Sequence, residues 1–196
     1  MAAPAERESQ DEPTLTGSLL VASPQLTDPN FSRTVVLVLE HGEEGALGVV
    51  LNRPTALGVD ELLEPWARQA QMAPPPVMFR GGPVAPDAVI GLARVHRTDE
   101  THGRHRVLES VTTVDLAVPP DDQPPGLEGV RLFSGYAGWS AEQLEEEIAE
   151  GAWFTLTAVV SDLFASDPER LWHDVLQRQG GDLAMLSGYP PHPSLN

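Results

Sequence analysis

The sequence predicts an α+β fold, a single domain in which about three helices accompany one large mixed or antiparallel β-sheet. About eight or nine segments have the composition of strands, whereas only about three show the apolar spacing of a helix. The strand segments often follow one another directly, unlike the alternating strands and helices of a parallel sheet. The chain has 196 residues, 41% of them hydrophobic, so it can bury one substantial core but lacks room for a second large domain.

The two ends of the chain are predicted to lie outside this domain. Residues 1–14 are acidic, polar and rich in alanine and proline, which indicates a disordered tail. The domain is expected over residues 15–188, and residues 189–196 are expected to form a flexible C-terminal tail. The first residues lack the basic start and apolar stretch of a signal peptide, and no apolar run approaches the roughly 20 residues of a membrane span. We therefore expect a cytoplasmic protein that does not enter a membrane.

Charge and cysteine content exclude several classes of function. The net charge is -17, from 29 acidic and 12 basic residues, and every base is arginine. Such a surface disfavours direct nucleic-acid binding, which depends on neutralising phosphates. The chain contains no cysteine, which rules out disulfides, thiolate nucleophiles and cysteine-ligated zinc. The remaining partners are an unknown protein or a small ligand.

Strands and one hairpin are predicted in the first quarter of the chain. The segment "TGSLLVASP" reads as a strand that ends at Pro24, and Thr34–Leu39 is apolar on both alternating faces, as in an interior strand. In "HGEEGALGVVLNRPT", residues 41–55, a second run at Leu47–Leu51 follows two glutamates between glycines. A phosphate-binding loop would need a helix directly after it and no acidic residues, so the pattern favours a hairpin.

The middle of the chain predicts one helix and four further strands. In "VDELLEPWARQAQM" the apolar residues recur at helical spacing, and Pro65 is expected to kink the helix or delay its start. The strands that follow are expected at Val77–Arg80, Ala88–Val95, Val107–Val111 and Val114–Val118.

The last third predicts two helices and further strands. Val130–Phe133 reads as a strand, and Gly135 and Gly138 as a turn before a helix that starts with the capping box of Ser140 and Gln143 and stops at Gly151. Trp153–Val160 is expected to be a strand, a helix should run from Asp167 to Gly180, and "DLAMLS" could close the sheet.

Polar and glycine-rich segments at strand ends suggest one candidate binding groove. Asn52 and Arg53 end an otherwise apolar strand, "FRGGPV" supplies Gly81 and Gly82, and "GYAGW" supplies aromatic side chains. In one interpretation these segments share a groove, because pockets combine apolar walls with a few convergent polar groups. In the other, Asn52 and Arg53 only close a strand and the aromatic residues belong to the core. The candidate residues are Asn52, Arg53, Gly81, Gly82, Tyr136 and Trp139.

Two other candidate sites have weaker patterns. His96, His102 and His105 share a polar loop, but their spacing matches no defined metal motif, and a solvated loop explains them more simply. Ser134 in "LFSGYAG" lacks the first glycine of a nucleophile elbow, and no histidine or acid can be paired with it from the sequence. No catalytic residue, metal ligand or cofactor is therefore assigned.

Four ordered passages resemble the bacterial YqgE/AlgH family: "GSLLVASPQLTDPNFSRTVVLVLEHGEEGALGVVLNRPT", "FRGGPV", "RLFSGYAGWSAEQLEEEIAEGAWF" and "LWHDVL". The resemblance runs from about Gly17 to Ser187. The acidic N-terminal tail and the loop from His96 to Arg106 depart from it. It implies a compact α+β fold around a large mixed sheet, and a transcriptional-regulator label that some members carry. It transfers no catalytic residue to this chain.

The leading hypothesis is a non-enzymatic binding or adaptor protein that holds a small ligand or a partner peptide in the candidate groove. It predicts that Arg53→Ala or Trp139→Ala abolishes binding and leaves the fold intact. The alternatives are a transcriptional regulator that contacts DNA, as the family label suggests, and a hydrolase that uses Ser134 or His41.

Overall fold

The computed structural model describes residues 14–96, 106–123 and 125–189. Within these ranges it contains ten strands in one curled, largely antiparallel sheet and six α-helices. The predicted α+β class is confirmed, whereas the prediction of about three helices was too low. The predicted tail at residues 1–14 lies outside the described residues except for Thr14, and so does the C-terminal tail beyond Tyr189.

The strands of the sheet are bounded as follows: β1 Ser18–Ala22, β2 Val35–Gly42, β3 Gly45–Val50, β4 Pro54–Gly58, β5 Val77–Arg80, β6 Val84–Val95, β7 Arg106–Leu108, β8 Val111–Val114, β9 Leu127–Ser140 and β10 Trp153–Thr157. Their order is β10-β1-β2-β3-β9-β6-β8-β7, and β4 joins through β5, which pairs with β9. The β5–β9 pair is parallel, which makes the sheet mixed.

The helices are α1 Val59–Leu62, α2 Ala67–Gln71, α3 Gln143–Ala149, α4 Val160–Leu163, α5 Leu171–Gln179 and α6 Gly181–Leu186. A short 3-10 turn that contains Pro65 separates α1 from α2, so the predicted interruption at this proline is confirmed. The helix predicted between Asp167 and Gly180 corresponds to α5, which buries one face through Leu171, Trp172, Val175 and Leu176. None of the described helices is long and apolar enough to cross a lipid bilayer.

Alternate residues of the strands supply cores on the two faces of the sheet. Leu19 and Val21 of β1 pack in a core that α5 covers, whereas Leu20 and Ala22 pack in a second core with Leu144 of α3. A third core lies under α1 and α2. The curl brings the two ends of the sheet together. Gly17, next to β1, lies so close to β7 that a Cβ atom on it would be 2.7 Å from the carbonyl oxygen of Val107.

Several predicted elements were wrong. The "DLAMLS" segment forms α6 instead of a strand, and Val114–Val118 is a strand only at its first residue. Strand β4, which begins at Pro54, was not predicted from the sequence. Proline usually marks the end of a strand because it lacks a backbone N–H donor, but it is tolerated at the first residue of a strand. Strand β10 stops at Thr157, and α4 follows.

The largest correction concerns the glycines before α3. Gly135 and Gly138 do not form a turn, because β9 runs without a break through both of them. Gly135 has a φ of +69°, and near it the pairing of β6 with β9 shifts register between Val84 and Val89. The expected strand, turn and helix are therefore one long irregular strand followed by α3.

Candidate functional site

Asn52 connects the end of β3 to the loop that precedes β2. Its side chain is 3% exposed, its Oδ1 accepts a hydrogen bond from the Val35 amide at 3.0 Å, and its Nδ2 donates to the Arg33 carbonyl at 2.8 Å. Both bonds secure the backbone around Arg33, which has a φ of +55°. Asn52 therefore has the backbone-bonding role that was one of the two interpretations of its position, and its amide is used inside the protein.

Arg53 lies beside Asn52 and points into a small depression. Its Nη2 donates to the Ser32 carbonyl at 2.5 Å. The backbone amide of Arg80, at the end of β5, donates to the Arg53 carbonyl at 2.8 Å, which brings the two arginines side by side. The depression is lined by Pro29, Asn30, Val50, Arg53, Arg80, Gly82 and Pro83.

The electrostatics of this depression are unusual for so acidic a chain. Burial, and to a smaller extent the positive charge of Arg80, lower the pKa of the Arg53 guanidinium. Within the described part of the chain neither arginine makes an ion pair with a carboxylate. Arg53 and Arg80 thus line one depression and repel each other, and neither is neutralised by a carboxylate of the described residues.

The two glycines of "FRGGPV" permit a close approach between β9 and the chain after β5. A Cβ atom at Gly81 would lie 2.2 Å from the carbonyl oxygen of Gly135. Gly82 has a φ of +158°, and a Cβ atom there would lie 2.1 Å from the carbonyl carbon of Tyr136. Both positions therefore need glycine for packing, and Gly82 also forms part of the depression.

The structure separates the two predicted aromatic residues. Tyr136 is half-buried and packs against the core that α5 covers. Trp139 is 6% exposed and belongs to the core under α3, where its indole lies 6.0 Å from that of Trp153. Both indole nitrogens donate to Oε2 of Glu147, at 2.9 and 2.8 Å. The predicted groove is therefore not assembled as expected, because neither aromatic residue lines the depression at Arg53.

Five residues of the depression were missed from the sequence: Pro29, Asn30, Val50, Arg80 and Pro83. Pro29 and Asn30 lie in the loop that Asn52 and Arg53 hold, and Arg80 lies directly before the two predicted glycines. Arg80 could have been included among the candidates from the sequence, since it is a charged residue at the end of the apolar strand "VMF". The loop residues could not, because only the tertiary hydrogen bonds bring them to Arg53.

Ser134 and His41, the residues of the alternative hydrolase hypothesis, are bonded to different partners. Ser134 pairs with Arg80 and Val89 in the sheet, and none of its recorded bonds within the described residues reaches a histidine. His41 instead accepts from the Leu15 amide through Nδ1 and lies 2.6 Å from Glu145 through Nε2.

Of the three histidines in the polar loop only His96 can be followed, because His102 and His105 lie outside the described residues. Elsewhere in the described chain no group of three acidic or histidine side chains is placed to hold a metal ion.

A family model described as AlgH-like matches residues 19–184, nearly the whole of the described domain. The chain belongs to the AlgH-like family. The resemblance drawn from the four sequence passages is confirmed by this match.

Relatives of this AlgH-like chain match it over more than nine-tenths of its length. A UPF0301 protein of Streptomyces coelicolor is 50% identical over 187 residues, which cover 93% of this chain and 96% of the relative. A UPF0301 protein of Thermobifida fusca is 47% identical over 195 residues, covering 95% and 98%. These names identify a family and state no activity.

Two solved structures have the same AlgH-like fold. The crystal structure of a protein from Corynebacterium diphtheriae superposes with a TM-score of 0.83 at 30% identity and covers 93% of this chain and 95% of its own. The solution structure of the AlgH protein from Pseudomonas aeruginosa has a TM-score of 0.65 at 30% identity and covers 96% and 100%.

Proposed function

We propose that this protein is a non-enzymatic binding protein that recognises an anionic group, a carboxylate or a phosphate, in the depression between Arg53 and Arg80. The observation that carries the proposal is the pair of adjacent guanidinium groups without a carboxylate partner among the described residues. In a chain of net charge -17 acidic side chains are abundant, yet none of those in the described ranges forms an ion pair with either arginine. A bound anion would relieve the repulsion between them.

The two arginines offer enough donors for bidentate recognition. A guanidinium carries five N–H donors in a planar fork. The Arg53 side chain donates one hydrogen bond, to the Ser32 carbonyl, and the Arg80 side chain donates none to the described residues. Because Arg53 is held by that bond, little side-chain entropy would be lost when an anion binds it.

The shape of the depression limits the ligand to a small head group. Its base is Val50, which is 1% exposed, and two prolines and a glycine contribute to its walls. A single carboxylate or phosphate suits this space, and the rest of a ligand or a peptide would extend over the surface beyond Pro29 and Pro83. This proposal keeps the binding or adaptor class predicted from the sequence but replaces its aromatic groove with an arginine pair.

A binding role fits the depression better than catalysis. Among the described residues no histidine or carboxylate lines it, so none of them supplies a general base or acid beside a bound anion. We also place the protein in the cytoplasm, because a chain without cysteine suits a reducing compartment.

An NMR titration tests the proposal. Inorganic phosphate and acetate, added separately at low ionic strength, should shift the amide signals of Asn30, Arg80 and Gly82. Arg53→Gln and Arg80→Gln should each weaken binding by about tenfold, because each removes a charge-assisted contact. Arg68→Gln is the matched control, since Arg68 is an exposed arginine of α2 outside the depression.

Two results would contradict the proposal. One is the absence of saturable shifts with either anion. The other is an equal weakening by Arg68→Gln, which would mean that the anions respond only to the overall charge of the protein.

A further inference from the structure

A second and larger cavity lies away from the arginine pair. It is a groove of about 460 Å³ between the β2–β3 hairpin, β6 and the segment that follows β8. This volume lies within the roughly 300–1,000 Å³ range of small-molecule sites. We propose that this groove binds a small organic cation, an amine with an apolar body. The proposal concerns a different site and does not depend on the proposed function.

A β-bulge forms one wall of the groove. The register between β2 and β3 shifts between Val38 and Glu40, so Leu39 is an extra residue in β2. Leu39 and Glu40 are consecutive, and both line the groove together with Leu47 of β3. An undistorted strand would direct neighbouring side chains to opposite faces, and bulges redirect them in this way beside binding sites.

A glycine shapes the opposite wall. A Cβ atom at Gly91 of β6 would lie 2.6 Å from Cγ2 of Val114 and 2.9 Å from Cδ2 of Leu116. The absence of a side chain at this position lets both apolar side chains lie across β6, where they line the groove beside Ile90. The walls are therefore aliphatic and suit an apolar body.

The charge of the groove selects the head group. The charged residues in its lining are two acids, Glu40 and Asp115, and no arginine or histidine of the described chain joins them. Asp115 uses Oδ1 to accept a hydrogen bond from the Ala117 amide, at 2.9 Å, and neither acid makes an ion pair within the described residues. Two unpaired carboxylates beside aliphatic walls complement a cationic amine attached to a hydrocarbon, and they repel a fatty acid.

Three probes with one hydrocarbon chain and different head groups test this inference: octylammonium, octanol and octanoate. In an NMR titration, octylammonium should bind most tightly and shift the methyl signals of Leu39, Leu47 and Ile90. Octanoate should bind at least about tenfold more weakly than octylammonium, because two carboxylates face its head group.

Variants that remove charge test whether Glu40 and Asp115 cause the preference for octylammonium. Glu40→Gln combined with Asp115→Asn should remove most of the preference for octylammonium over octanol, and the asparagine can still accept from the Ala117 amide. The matched control is Glu44→Gln combined with Asp121→Asn, which neutralises two exposed acids outside the groove. Val89→Trp, at a position 37% exposed on the rim, should weaken all three probes by filling the groove.

The outcomes decide the proposal. If none of the probes shifts the groove signals, the groove is not a ligand site. If octanoate binds as well as octylammonium, or if the control pair abolishes the preference as fully as the groove pair, the cationic ligand class is wrong. Since Arg53 and Arg80 are unchanged in these variants, phosphate binding at the depression is measured separately in the same samples.

Discussion

Asn52 holds the backbone of Arg33 in a left-handed conformation by bonding to the carbonyl of Arg33 and to the amide of Val35. Residues other than glycine rarely adopt a positive φ, so the loop before β2 depends on this side chain. The same loop supplies Pro29 and Asn30 to the depression at Arg53. Asn52 thus positions part of the candidate site without lining it.

Asn52→Ala should destabilise the fold by about 2–3 kcal/mol, because two backbone groups would lose their partners in a buried place. The free energy of unfolding in urea measures this loss. Asn30→Ala is the control, since the recorded bonds of Asn30 use its backbone amide and its exposed side chain can be removed at little cost. Equal stability of Asn52→Ala and the wild-type protein would show that the loop does not need the side-chain amide.

Arg131→Lys should lower the free energy of unfolding by about 3 kcal/mol. Arg131 is 2% exposed and donates to the carbonyls of Leu163, Pro74 and Ala165, at 2.6, 2.8 and 3.0 Å. Its guanidinium carbon also lies 4.5 Å from the ring centre of Phe79. A lysine ammonium lacks the planar fork that serves three separated carbonyls. Arg170→Lys, at an exposed arginine, should change stability by less than about 1 kcal/mol.

The burial of Arg131 also predicts an alkaline effect. Burial lowers the pKa of Arg131 to about 10. A base whose pKa is lower in the folded than in the unfolded state disfavours folding while charged, and this penalty decreases as the pH rises through the folded pKa. The stability difference between wild type and Arg131→Met should therefore shift in favour of the wild type between pH 9 and about 11. Urea unfolding at several pH values measures it, and a difference that is constant with pH would contradict the shift.

Trp139→Ala should cost about 3–5 kcal/mol, because it removes a large buried side chain from the core under α3. This differs from the expectation drawn from the sequence, in which the variant keeps an intact fold. Trp139→Phe should cost less, since it keeps most of the packing and loses only the bond to Glu147. Thermal unfolding followed by circular dichroism separates the two variants. If Trp139→Ala unfolds at the wild-type temperature, the side chain is not part of the core.

Glu145→Gln should reduce stability at neutral pH and have no effect in acid. A hydrogen bond from its own backbone amide, opposed by partial burial and reinforced by His41, holds the pKa of Glu145 below its usual value. A carboxyl whose pKa is lowered on folding stabilises the protein above its unfolded pKa, and this contribution disappears as the pH falls through the folded pKa.

Thermal melts of wild type and Glu145→Gln between pH 7 and 3 measure this convergence. Glu146→Gln is the matched control, because it changes the neighbouring exposed glutamate of the same helix. A gap between Glu145→Gln and wild type that widens in acid would contradict the assignment.

Local sequence patterns correctly predicted those strands and helices that the residues within them are sufficient to specify. The β2–β3 hairpin forms where "GEEG" separates two apolar runs, and Gly42 pairs with Gly45 across its turn. Helix α5 forms where the sequence predicted a helix between Asp167 and Gly180. The turn predicted at Gly135 and Gly138 was wrong because glycine occurs both in turns and in closely packed strands. Which of the two forms depends on the neighbouring strands, which the local sequence does not specify.

The candidate site was predictable only in part. Arg53 and Gly82 do line one depression, whereas Tyr136 and Trp139 pack in different cores, because residues three apart in a strand face opposite sides of the sheet. The partner of Arg53 is Arg80, about 27 positions away in the chain, and a backbone hydrogen bond between strand ends brings them together.

By itself the sequence determined the α+β class, the net charge and most of the strands, since these follow from composition and from short-range periodicity, and four ordered passages carried the family resemblance. Only the tertiary structure decided which polar residues form hydrogen bonds inside the protein and which line the depression. Asn52 and Arg53 are adjacent and equally polar, yet one is used up by the backbone around Arg33 while the other shares a depression with a second arginine. That difference depends on hydrogen bonds between segments distant in the chain, which no local pattern records.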